Sequence, residues 1–238
     1  MGLCDFGFRF DIIFPICFHK KASASEKDKV MKLTSSTFNH NDFIPERCAF
    51  CIKDPDNHTA FGDNKNPQLS WSEVAEEAKS LVLICVDTSV PSSLENFNKE
   101  GRTIATGLPR VEFIHWVMVD IQPGNGGVKE GACSDGITPG GKQDPHGSQG
   151  SRQGINDYTG FMAGDPEMQG NYFGYDGPCP PWNDELVHHY RFKLFACDFD
   201  ICPVEGAFTG QNVFQTIEGH VIAETELVGL YSLNPDLG

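Results

Sequence analysis

The sequence has no run of 18 apolar residues, so no segment is suited to cross a membrane as a helix. Positive charge is scarce: 18 lysines and arginines stand against 33 aspartates and glutamates, a net charge of −15 at pH 7. A surface so acidic excludes nucleic acid and anionic membranes as general partners. A second C-x-x-C at zinc-finger spacing is also missing. Cys48 and Cys51 make one such pair, but Cys197 and Cys202 are too far apart to make another. The nine cysteines, odd in number and scattered, read as buried small hydrophobes and free thiols with no disulfide framework. Free thiols suit a reducing compartment, so the expected location is cytoplasmic. There is no internal repeat, and no residue pattern demands a metal or other cofactor.

A complete export signal is absent as well. Residues 1–30 carry an apolar cluster from Phe6 to Phe18, but Arg9 and Asp11 interrupt it and its lysines follow the core instead of preceding it. Ala22-Ser23-Ala24 does imitate a cleavage site, which keeps export as the alternative. Phe6 occupies the position where a myristoylation signal needs Ser or Thr. These residues therefore read as a leader foreign to the rest, disordered or membrane-associating, or as an over-extended start. A single β domain is expected over 31–238.

What is present is glycine and proline, 25 and 15 residues, in a chain that is 39% hydrophobic. That combination marks a loop-rich, β-rich globular domain. Residues 80–86 (SLVLICV) predict a strand buried on both faces that ends at Asp87. Residues 113–121 (FIHWVMVDI) predict another, with Phe113, His115, Val117 and Val119 on one face and Ile114, Trp116 and Met118 on the other. Residues 33–43 suggest an edge strand and turn, and 52–67 read as loop. Ser70-Trp71-Ser72-Glu73 looks like a capping box for a helical turn through Lys79. Residues 122–184 form a long irregular join with short ordered pieces near 154–160 and 161–164. A helix is predicted over 204–219, with Thr209 as N-cap, Val213, Phe214 and Ile217 as its apolar stripe and Gly219 as its stop. A last strand follows over 220–231. The architecture expected is an antiparallel two-sheet β-sandwich with long loops and one or two short helices.

Residues 174–198 (GYDGPCPPWNDELVHHYRFKLFACD) organise the rest. Pro178, Pro180 and Pro181 remove amide donors and fix φ, so the segment is a stiff cup in which the Gly177 N–H points at a ligand. In the strand that follows, His188 and Tyr190 share a face with Phe192, Leu194 and Ala196, while His189 faces the other way. Asp87 and His115 join them if the strands are neighbours, with Pro91, Phe113 and Pro178 as pocket wall. A buried carboxylate beside imidazoles raises their pKa, so His115 and His188 become cationic donors oriented by Asp87, and with the Tyr190 hydroxyl they make an anion hole. Two histidines and a carboxylate are equally the ligand set of a mononuclear metal centre. Cys179 near His188 admits a nucleophile–base reading, although it lacks a helix N-terminus to lower its pKa.

NPQLSW at 66–71, DTSVP at 87–91, FIHWVMVD at 113–120, GYDGPCPP at 174–181 and HHYRF at 188–192 occur in an order that resembles the phosphatidylethanolamine-binding protein family, in its bacterial Raf-kinase-inhibitor-like branch. The likeness runs from about Met31 to Leu237. It implies a two-sheet β-fold with a small pocket for a phosphate-like or phospholipid headgroup, formed by Asp87, His115, Gly177, His188 and Tyr190. Ser89 stands where the family signature has a second carboxylate and Thr88 where it has a proline; His189 replaces an arginine. The function expected is non-catalytic, regulatory binding of a small anionic ligand, with a protein partner and a homodimer left open. The alternatives are a hydrolase or metal-dependent enzyme using His188, His115 and Asp87, and an interaction module acting on a protease or kinase.

Overall fold

A computed structural model describes residues 30–237. The expectation of a separate leader over 1–30 falls, but for Val30, outside the described residues. In chain order the strands are β1 (Lys32–Thr34), β2 (Cys51–Asp54), β3 (His58–Phe61), β4 (Leu69–Ser72), β5 (Ser80–Pro91), β6 (Arg110–Ile121), β7 (Gly126–Val128), β8 (Arg152–Gln153), β9 (His188–Cys197) and β10 (Val221–Tyr231). Two α-helices accompany them, α1 (Tyr158–Phe161) and α2 (Gly210–Ile217).

A five-stranded antiparallel sheet, β10-β9-β5-β6-β8, packs on a three-stranded one, β1-β4-β7, and β2 and β3 form a hairpin beside them. This is the expected two-sheet arrangement. Alternation along β5 explains why its sequence is apolar throughout: Leu81, Leu83 and Cys85 enter the core between the sheets. Val82, Ile84 and Val86 enter a second core under Val213 and Ile217 of α2. Both faces of the central strand are covered, so after Ser80, whose hydroxyl donates to the Phe199 carbonyl, no position on it is free to be polar until Asp87. Pro91 does not cut the strand at Asp87; β5 pairs with β6 through Pro91, and a register shift between Asp87 and Val90 lets it bend there.

β6 departs from strict alternation. Val86 faces Ile114 and Cys85 faces Trp116, so His115 is one extra residue, a β-bulge. The bulge flips the phase of the strand. Trp116 and Met118 point into the inter-sheet core, whereas Val117 and Val119 join Ile114 in the second one. The expected grouping of His115 with Val117 and Val119 is thus corrected. Residues 69–72 form β4 and not a helical turn, because Leu69 and Trp71 fill the core at alternate positions. The stretch 52–67 contains the β2–β3 hairpin, whose turn is held by Asp54 Oδ1 accepting from the amides of Asp56 and Asn57. α2 is shorter than 204–219 but capped as expected: Thr209 accepts from the Asn212 amide, and Asn212 returns the bond.

The cysteine expectation also needs correcting. Cys51 and Cys179 are disulfide-bonded, their Cα atoms 4.7 Å apart, and the bond ties β2 to the proline-rich loop. Cys48, Cys85, Cys133, Cys197 and Cys202 are free thiols. No spacing rule could pair two residues 128 positions apart.

Candidate functional site

Where β5, β6 and β9 lie side by side, Asp87 pairs with Tyr190 across one ladder and with Phe113 across the other. Their side chains, with His115 on the bulge and His188 at the start of β9, floor a cavity of about 70 Å³. Its walls come from three segments: Val90, Leu94 and Phe97 on one side, Tyr158 and Phe161 of α1 on another, and Cys179, Pro180 and Pro181 on the third. Pro91, Pro178 and Gly177, expected at this pocket, lie outside its lining. Pro178 turns toward β2, where its carbonyl accepts from the amides of Phe50 and Cys51. The Gly177 amide is not free for a ligand: it donates to Asn64 Oδ1 at 2.8 Å. A glycine is nonetheless required there, since a Cβ would sit 2.1 Å from the Cys48 carbonyl oxygen.

His188 is fully committed. Its Nδ1 lies 2.6 Å from Asp87 Oδ2 and its Nε2 3.1 Å from Asp184 Oδ2. Asp184 in turn takes both terminal nitrogens of Arg110, at 2.5 and 3.1 Å. The result is a buried chain of alternating charge, Asp87–His188–Asp184–Arg110, in which each ion has an opposite neighbour. Burial alone would depress the His188 pKa. The Asp87 charge and the hydrogen bonds His188 donates to both carboxylates outweigh it and raise the value to about 9. His188 is therefore a charged anchor without a spare N–H, which corrects its expected role as a donor to the ligand. The same geometry removes it as a general base or metal ligand, since neither ring nitrogen has a free lone pair. Among the described residues no group of three His, Cys, Asp or Glu side chains could hold a metal ion.

His115 behaves oppositely. Burial is the largest influence on it and lowers its pKa, although Asp87 and the Asp176 carbonyl act in the other direction. It is neutral where a cation was expected. Its Nδ1 donates to the Asp176 carbonyl at 2.8 Å, and the carbonyl freed by the bulge accepts from the Asp176 amide at 3.0 Å. Nε2 is then the acceptor on the cavity side. Asp176 belongs to the proline cup, where no strand periodicity singles it out. Its carboxylate is buried and satisfied by Lys142 at 2.7 Å and by Asn64 and Asn156 at 2.8 Å each. Tyr190 remains. Burial and then the Asp87 charge push its pKa well up, and the Asp87 carboxylate is the acceptor nearest to its buried hydroxyl, which makes no well-formed hydrogen bond among the described residues. His189 faces away from the cavity, with its amide on Ser89 Oγ.

Comparison with known proteins agrees with this architecture. The phosphatidylethanolamine-binding protein family matches residues 34–232. A UPF0098 protein of Methanothermobacter thermautotrophicus is 33% identical over 201 residues, 84% of this chain and 98% of its own. A UPF0098 protein of Pyrococcus horikoshii is 31% identical, over 86% of this chain and 78% of its own. The crystal structure of a phosphatidylethanolamine-binding protein homolog from Chlamydia trachomatis superposes with a TM-score of 0.58 at 28% identity, covering 86% of this chain and 98% of the other. E. coli YbcL shares the fold alone, with a TM-score of 0.60 at 23% identity over 85% and 98% of the two chains. By sequence and by fold, the chain belongs to the phosphatidylethanolamine-binding protein family.

Proposed function

We propose that this protein is a non-catalytic, regulatory binding protein whose cavity seats a small anionic group, such as a phosphate or a phosphorylated headgroup. The observation that carries this is the Tyr190 hydroxyl, a buried donor at the cavity floor that makes no well-formed hydrogen bond, its nearest acceptor Asp87 being committed to His188. Leaving such a group unmet costs about 1–3 kcal/mol, which a ligand oxygen would recover. The charge balance supports the reading. Asp87 is neutralised by His188, so an anion above it meets no net negative charge. His115 supplies the second donor once protonated, and a bound anion favours that protonation. The seat therefore takes up a proton together with its ligand. A cytoplasmic location fits the five free thiols of the described residues, and a disulfide in such a compartment is usually of the redox-responsive kind.

The test is calorimetry with inorganic phosphate and phosphoethanolamine from about pH 5 to 8.5, a window spanning the ordinary histidine pKa. Affinity should rise toward the acid side as His115 gains its proton, then turn over when the ligand itself is protonated. Tyr190→Phe should weaken binding about ten- to 150-fold, the range for a hydrogen bond to a charged group. Affinity flat with pH and unchanged in Tyr190→Phe would remove the anion reading.

A further inference from the structure

Cys179 is at once half of the Cys51–Cys179 disulfide and part of the cavity wall, where Pro180 and Pro181 continue it. We propose that this bond is a redox gate on the cavity. Oxidised, it holds the wall of residues 179–181 in place; reduced by a dithiol, it releases that wall and loosens the seat. The proposal regulates the same cavity and rests on reading it as a ligand site.

The anchoring of the loop makes the bond a gate instead of a general staple. On the N-terminal side, Gly177 is fixed by Asn64 and by the Tyr158 hydroxyl, and the Pro178 carbonyl holds two amides of the 50–51 segment. On the C-terminal side, Asp184 is fixed by Arg110 and His188, and Asn183 Nδ2 donates to the carbonyls of Asn96 and Arg102. Between these anchors Pro180 and Pro181 have no N–H to give, the Pro181 carbonyl takes only the neighbouring Asp184 amide, and the disulfide is the crosslink that fixes Cys179. Loosening reaches the opposite wall too. The Trp182 amide donates to Asn98 Oδ1, so the segment carrying Leu94 and Phe97 is tied to the released stretch on one side and to the anchored Asn183 on the other.

The chemistry has a defined direction. Cys179 is partly exposed while Cys51 is buried, so an incoming thiolate reaches Cys179 Sγ first. The Sγ–Sγ bond breaks with its electron pair on Cys51, which takes a proton. The second thiol of the reductant then displaces Cys179 from the mixed disulfide and the reductant leaves as its own disulfide. Two thiols form in the protein for two thiols consumed. Cys48, the nearest free cysteine in sequence, does not compete: burial pushes its pKa up to about 12, which keeps it a thiol.

Hydrogen exchange on the full chain with and without dithiothreitol tests the gate. Reduction should speed exchange at Cys179, Trp182 and Asn98 by about tenfold while β5 and β9 stay protected. Inorganic phosphate should bind the reduced protein about three- to tenfold more weakly, the scale of re-ordering one or two side chains. The double variant Cys51→Ser, Cys179→Ser should match the reduced protein and ignore dithiothreitol. Equal exchange in the two states, a response to dithiothreitol in the double variant, or loss of cooperative unfolding on reduction would overturn the proposal. Phosphate binding to neither form would remove the anion reading, and the exchange result would still stand for or against the gate.

Discussion

His188 keeps its proton because a carboxylate faces each of its ring nitrogens. His188→Ala strands Asp87 in the interior while Asp184 keeps Arg110, and breaking a buried ion pair this way costs about 3–5 kcal/mol. Urea unfolding at neutral pH should show that loss, whereas His189→Ala, half-buried and off the cavity, should stay within about 0.5 kcal/mol of the parent. The same residue sets a pH dependence. Its pKa is raised from the ordinary value to about 9 in the fold, so the folded state holds an extra proton between those limits. The stabilisation is fully present below about pH 6.5 and is lost as pH rises through 9, about 3 kcal/mol at most. Chemical denaturation at about pH 6 and pH 9.5 measures it, and a midpoint that does not fall would refute the charged anchor. Strand parity made His188 and Tyr190 legible as one face, and the motif order that resembles the family joined Asp87 and His115 to them. The sequence hid which of the two histidines is charged. That depends on Asp184 and Arg110, which reach His188 from a loop and from the start of β6, where no periodicity connects them.

At the scale of elements, the loop 174–181 is shaped by close approach more than by its prolines. Gly177 fits because the Cys48 carbonyl lies where a Cβ would be. Gly177→Ala should therefore cost about 1–3 kcal/mol by overpacking, while Gly107→Ala, with nothing within 4 Å, should be nearly silent. A thermal scan of both variants decides it; equal melting points would mean that the loop shifts freely. β5, β9, β10 and α2 were readable from apolar pattern and capping chemistry alone. The bulge at His115 was not, because an extra residue leaves no mark in composition and period-2 counting runs straight through it. β7 and β8 escaped for another reason. They are two or three residues long and exist through pairing with distant partners, β4 and β6.

For the whole molecule, the two-sheet fold was visible in the balance of glycine, proline and apolar runs, but the Cys51–Cys179 crosslink was not. Pairing across 128 residues is a property of the finished packing. The family match begins at residue 34 and β1 begins at Lys32, so deletion of residues 1–30 should leave a cooperatively unfolding domain. Loss of the unfolding transition in the truncated protein would show that those residues complete the core.

The buried quartet of Asp87, His188, Asp184 and Arg110 sums to zero, while the chain as a whole carries −15. Salt acts on the second quantity and hardly on the first, since screening at physiological ionic strength works over about 8 Å of solvent and three of the four, Asp87, His188 and Asp184, are buried. An approaching anion feels the repulsive surface; a seated one feels only its immediate donors. Raising the salt concentration should thus accelerate phosphate arrival while leaving its departure rate unchanged. Stopped-flow traces at low and high ionic strength would separate the two, and a departure rate that climbs with salt would place the ligand on the outer surface.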